Sequence, residues 1–261
     1  MIVTKNYSQH PNGQIHYRMT PRQTVMPLVL LHQTPSSSAM YKALMAELAP
    51  DFWCIAPDTP GFGQSDRLVD GVTIAEYATA VLSLLQSFNV EACYMFGHHT
   101  GASIAVQLAH DHPDFVSKLA LSGPPLLTDS QIAYLKTTLP ENKLDINGRF
   151  LTDLWQRLRN KNPNGEIALT LRETITSLQC QDSYQAAYYA VFDQDFAGQL
   201  AALTCPVLLM AGEQDSLFAS LEPAAKLVRN GRSHTIPNAG TYICDEQPQI
   251  IANLLRDFLQ E

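Results

Sequence analysis

Short, largely apolar runs recur along this chain, and most are spaced so that one helix fits between neighbours. They are "PLVLLH" (27–32), "FWCIAPD" (52–58), "ACYMFG" (92–97), "SKLALSG" (117–123) and "CPVLLMAGEQD" (205–215). Runs this apolar suit strands covered on both faces, the environment of a parallel sheet. Amphipathic stretches near 39–49, 73–88 and 101–112 lie between them, the second opening on Thr73 and Glu76 in a capping-box pattern and the third stopped by Pro113. Strands alternating with helices of this length dictate βαβ units. The first twenty residues, with "HPNG" between two alternating stretches, add a hairpin turning at Pro11 to Gly13. A helix near 219–229, "SHTIP" (233–237) and a helix from about Gln247 to Leu259 close the chain. The expected fold class is α/β, with a mostly parallel twisted sheet of about eight strands flanked by helices.

The alternation breaks at "PPLLT" (124–128). From there to about Leu200 the pattern is helical and rich in aromatic residues, and strands resume only afterwards. A helical insertion between two strands of one sheet reads as a cap over their carboxyl ends, where open α/β sheets bind ligands. The expected division is a core of 1–127 and 201–261 with a helical cap of 128–200.

The 261 residues carry a formal charge of −8 with no run of basic residues, which excludes a nucleic-acid surface. No apolar run reaches the length of a membrane span, and "MIVTKNYSQH" lacks the order of a signal peptide. Five cysteines without CxxC spacing suggest neither a disulfide framework nor a zinc site, which points to a reducing cytoplasm. The Gly-x-Gly of "PGFGQS" lacks the third glycine and the following helix of a dinucleotide site, so no cofactor is implied. The expected partner is a small-molecule substrate, with the chain as a monomer or homodimer.

Five motifs in order resemble those of the α/β-hydrolase fold family. "VLLHQTPSSS" (29–38) resembles its oxyanion loop, and "APDTPGFGQSD" (56–66) its Asp-x-x-Gly-x-Gly-x-Ser turn. "FGHHTGAS" (96–103) resembles the nucleophile elbow, "VLLMAGEQDSLF" (207–218) the acid-bearing strand end and "IPNAGTYICDEQP" (236–248) the loop of the catalytic histidine. Two departures fall on the chemistry. The elbow reads Gly-x-His-x-Gly, and the late loop has Gly240-Thr241 where the family has Gly-His, while the acid position keeps Asp215. The covalent serine route therefore has no nucleophile at the elbow.

His99 and Asp215 are the expected catalytic pair, Asp215 fixing the imidazole tautomer and leaving the other ring nitrogen as a base. The resemblance places the oxyanion-hole donors on the backbone at Thr100 and at Gln33 or Thr34. His32 is expected to hold its loop. His32, Thr34, His98, Trp155, Tyr188, Thr241 and Tyr242 are expected around the substrate, Thr241 leaving open the space the late-loop histidine would fill. The side chains of the adjacent His98 and His99 are expected to diverge, so no metal site is anticipated. An aromatic cap implies a substrate of apolar or ring character. The leading expectation is water-activated hydrolysis of an ester, lactone or C–C bond. The alternatives are a cofactor-independent lyase, decarboxylase or isomerase using the same base, and a ligand-binding protein without catalysis.

Overall fold

A computed structural model describes residues 3–11, 13–68, 72–140 and 144–261. Among the described residues, eight strands form one sheet: β1 (Thr4–His10), β2 (Gly13–Met19), β3 (Pro27–Leu31), β4 (Trp53–Pro57), β5 (Cys93–His98), β6 (Val116–Ser122), β7 (Val207–Gly212) and β8 (Gly231–Ile236). Their order is β1-β2-β4-β3-β5-β6-β7-β8. β1 and β2 are the antiparallel hairpin, β2 pairs antiparallel with β4, and every other pairing is parallel. Asn12, in the expected hairpin turn, lies outside the described residues.

Helices cover both faces. α1 (Lys42–Leu48), α10 (Ile243–Glu246) and α11 (Pro248–Gln260) lie on one side. α2 (Ile74–Ser87), α3 (Thr100–Asp111), α8 (Phe196–Ala202) and α9 (Leu221–Leu227) lie on the other. The period of two along β3 divides its side chains accordingly: Leu28 and Leu30 join the first core, Val29 and Leu31 the second. All four are essentially inaccessible, each burial stabilising by about 2 kcal/mol. Thr73 caps α2 in the anticipated box, its hydroxyl accepting from the Glu76 N–H while Glu76 accepts from the Thr73 N–H. Between β6 and β7 the chain is helical: α4 (Asp129–Thr138), α5 (Arg149–Lys161), α6 (Ile167–Cys180) and α7 (Ser183–Phe192) precede α8. Among the described residues, no helix is long and apolar enough to cross a membrane.

Candidate active site

The turn from β5 into α3 sets His99 at φ 50 and ψ −112, a left-handed conformation rare for a residue with a Cβ. It is held because α3 starts at once and the His99 carbonyl accepts from the Ala102 and Ser103 N–H groups. Gly101 permits the tight approach: a Cβ there would collide with the Leu31 carbonyl of β3. The strained turn projects the His99 ring over the carboxyl end of the sheet.

Asp215 reaches the same point from the turn after β7. His99 Nε2 lies 3.0 and 2.9 Å from the two Asp215 carboxylate oxygens and donates its proton there. The Leu217 N–H donates to Oδ1 at 2.7 Å, fixing the carboxylate from its other side. Burial alone would raise the Asp215 pKa. The charge and hydrogen bond of His99, with the Leu217 amide, outweigh it and hold the carboxyl well below the usual range. With Nε2 committed, the remaining proton acceptor on the ring is Nδ1, which no described residue engages.

His98 corrects an expectation. Its ring does not diverge from His99 but stacks on it, with centroids 4.3 Å apart and planes 24° from parallel. Nδ1 accepts from the Ser122 hydroxyl at 2.9 Å, and Nε2 donates to the Thr241 carbonyl at 2.9 Å. Burial, then the charge of His99, push its pKa down to about 3, so His98 is a neutral strut between β5, β6 and the late loop. Donor atoms of His98, His99 and Asp215 all lie within 4.8 Å of one another, close enough for a metal ion. Lone pairs of imidazole lie in the ring plane, however, and two stacked rings direct theirs side by side. The three groups form a hydrogen-bonded stack, not a convergent ligand set.

A cavity of about 310 Å³ opens beside this stack, within the size range of small-molecule sites. The core contributes Thr34, His99, Thr100, Pro125, Leu127, Ser216 and Leu217. Gln131, Tyr134 and Leu135 of α4 and Tyr188, Val191 and Phe192 of α7 close it from above. Among the described residues, no Asp, Glu, Lys or Arg lines it. The Thr100 N–H, in the first turn of α3, has no acceptor within its own helix and is free to face a ligand.

Other expected positions separate. Thr34 lines this cavity; Gln33 is buried and does not, so among the described residues the loop after β3 meets the cavity at Thr34. His32 lies behind the loop, donating from Nδ1 to the Gln33 carbonyl and accepting at Nε2 from the Thr59 N–H, bonds that require the neutral ring. Tyr188 faces the cavity, but Trp155, half-buried on α5, does not line it. Thr241 and Tyr242 line a different cavity.

One pair of residues had no motif to mark it. Glu173 of α6, 2 % exposed, accepts from the Ser36 hydroxyl at 3.0 Å and from Arg172 Nε at 2.8 Å. The Arg172 guanidinium grips Asp245 of α10 through both oxygens, at 2.5 and 2.7 Å. A dipeptide of α6 thus holds both the loop that carries Thr34 and the segment after Thr241. Burial raises the Glu173 pKa, against the opposing pull of Arg172.

Residues 26–248 match the model of the alpha/beta hydrolase fold. The chain belongs to the α/β-hydrolase fold family. Within that family it is 26% identical to a soluble epoxide hydrolase of a Corynebacterium species, over 89% of each chain. It is 23% identical to a haloalkane dehalogenase of Psychrobacter cryohalolentis, covering 97% of this chain and 90% of that one. The solved structure of the epoxide hydrolase CorEH superposes with a TM-score of 0.82 at 21% identity, over 99% of both chains, a likeness of fold. By name the first and last of these are epoxide hydrolases and the second a dehalogenase.

Proposed function

We propose that this α/β-hydrolase-fold protein hydrolyses a small, uncharged, largely apolar ester or lactone with water activated by His99, without a covalent acyl-enzyme. The observation that carries this reading is the placement of one imidazole between a buried carboxylate and an apolar cavity. Asp215 holds Nε2–H, so Nδ1 is the atom left to take a proton from water. The hydroxide so formed attacks the carbonyl carbon, and the proton rests on an imidazolium stabilised by Asp215. The tetrahedral oxyanion is received by the main-chain N–H of Thr100, with that of Thr34 as the second donor. On collapse, the departing alkoxide takes the proton back from Nδ1, which restores the neutral ring. The hydrolases among the relatives support hydrolysis as the reaction class, and the uncharged lining supports a neutral substrate.

The test is pre-steady-state hydrolysis of neutral aryl esters, with intact-mass spectrometry of the protein during turnover. The reading expects a linear time course with no burst and no adduct. A stoichiometric burst with a matching mass increase, or labelling by a fluorophosphonate, contradicts it. Solvent deuterium appearing at carbon in a recovered ligand would instead support proton abstraction from the substrate.

A further inference from the structure

A second cavity, of about 390 Å³, shares no lining residue with the first. Lys161 and Asn164 at the end of the cap helix α5, Gln214 beside Asp215, and Asn238, Thr241 and Tyr242 of the late loop supply its polar wall. Thr241 and Tyr242 are buried, at 6% and 5% exposure, yet no described residue bonds to either hydroxyl. Neither hydroxyl is sealed among other side chains, so both reach open space at the cavity. The carboxamides of Asn164, Gln214 and Asn238 likewise have no partner among the described residues. Five side chains with unspent hydrogen-bonding capacity therefore line one cavity.

We propose that this cavity is a binding site for a small neutral polyhydroxylated molecule, of monosaccharide or polyol chemistry. Carboxamides and hydroxyls each donate and accept, as every hydroxyl of such a ligand does. The wall carries one cation, Lys161, and one anion, Glu246, whose carboxylate accepts from Asn162 Nδ2 at 2.6 Å. A lining without net charge, in a chain of net charge −8, gives an anion no advantage. The cavity volume lies within the range of small-molecule sites. The site touches the catalytic stack through two segments. Gln214 precedes Asp215, and the Thr241 carbonyl receives the His98 proton. The proposal does not depend on the chemistry assigned to His99.

Isothermal titration calorimetry of the full chain tests it, with D-xylose, D-glucose and glycerol as neutral probes and inorganic phosphate and acetate as anionic ones. Saturable binding of at least one neutral probe at millimolar concentration is expected. Joint Thr241→Val and Tyr242→Phe substitution, which removes two hydroxyls and little volume, should weaken that binding about tenfold. Gln214 is exposed, so Gln214→Leu keeps the fold and provides a second variant with the same expectation. His99→Ala should leave this binding unchanged, which separates the site from the proposed reaction. Three results overturn the proposal: no saturable binding by any neutral probe, neutral binding indifferent to all the wall variants, or binding confined to phosphate or acetate and lost in Lys161→Met.

Discussion

Gly123 lies against the Cδ2–Nε2 edge of His99, so that a methyl group at position 123 would occupy the space of the ring. Its φ of +57 adds a second demand for glycine. Gly123→Ala should cost about 2 kcal/mol of stability from backbone strain alone. The collision should also swing the ring away from Asp215. Thermal unfolding read beside turnover separates the two effects, and the activity loss is expected to exceed what the folded fraction explains.

The turn at Asp58 carries a second buried His–Asp pair and governs acid stability. Asp58 accepts from His16 Nδ1 at 2.7 Å and from the N–H groups of Ser38 and Gln64 at 2.7 and 2.9 Å. Burial opposes the charge, but these bonds bring the carboxyl pKa down to about 2. A depressed folded-state pKa means that the unfolded chain binds the proton more readily. The stabilisation is complete above the unfolded value near 3.9 and disappears as pH falls through about 2, a change of roughly 2–3 kcal/mol. Asp58→Asn, which sets an amide against inward-pointing N–H groups, should flatten the acid limb of urea-unfolding free energy against pH. It should lower stability at neutral pH by about 3 kcal/mol.

The Arg172 clamp should respond asymmetrically. Arg172→Met strands the carboxylates of Glu173 and Asp245 and is expected to destabilise by about 3–5 kcal/mol. Glu173→Gln keeps an acceptor for Ser36 and Arg172 while removing a buried charge, and should stay within about 1 kcal/mol. Chemical denaturation of both variants checks the ratio. Hydrogen exchange at 33–37 and 241–246 should rise in the first and remain near the parent in the second.

The architecture was legible because its signals are local. Five apolar runs mark parallel strands, Thr73 with Glu76 marks the start of α2, and the pattern changes at "PPLLT" just before α4 begins. The short helix α10 had no such signal: four residues show no periodicity. The pairing of Asp215 with His99 follows from the order of motifs, since each stands at the end of a parallel strand. The stack of His98 on His99 was misjudged, because neighbours in an extended strand point apart and only the reversed φ at 99 turns the second ring back. The bond from Ser36 to Glu173 joins residues 137 apart in sequence, and no local pattern encodes such a contact. The bond from His98 to the Thr241 carbonyl was invisible to residue type, since every residue offers that carbonyl.

The most direct measurement is the rate of neutral aryl-ester hydrolysis by the parent protein and by His99→Ala, with and without added imidazole. The account predicts a fall of roughly 10²–10⁴-fold in kcat, the range of a lost general base, at unchanged folding. Added imidazole should restore part of that rate in proportion to its concentration, because the cavity and the main-chain donors remain. A His99→Ala protein that hydrolyses the ester as fast as the parent would contradict the account.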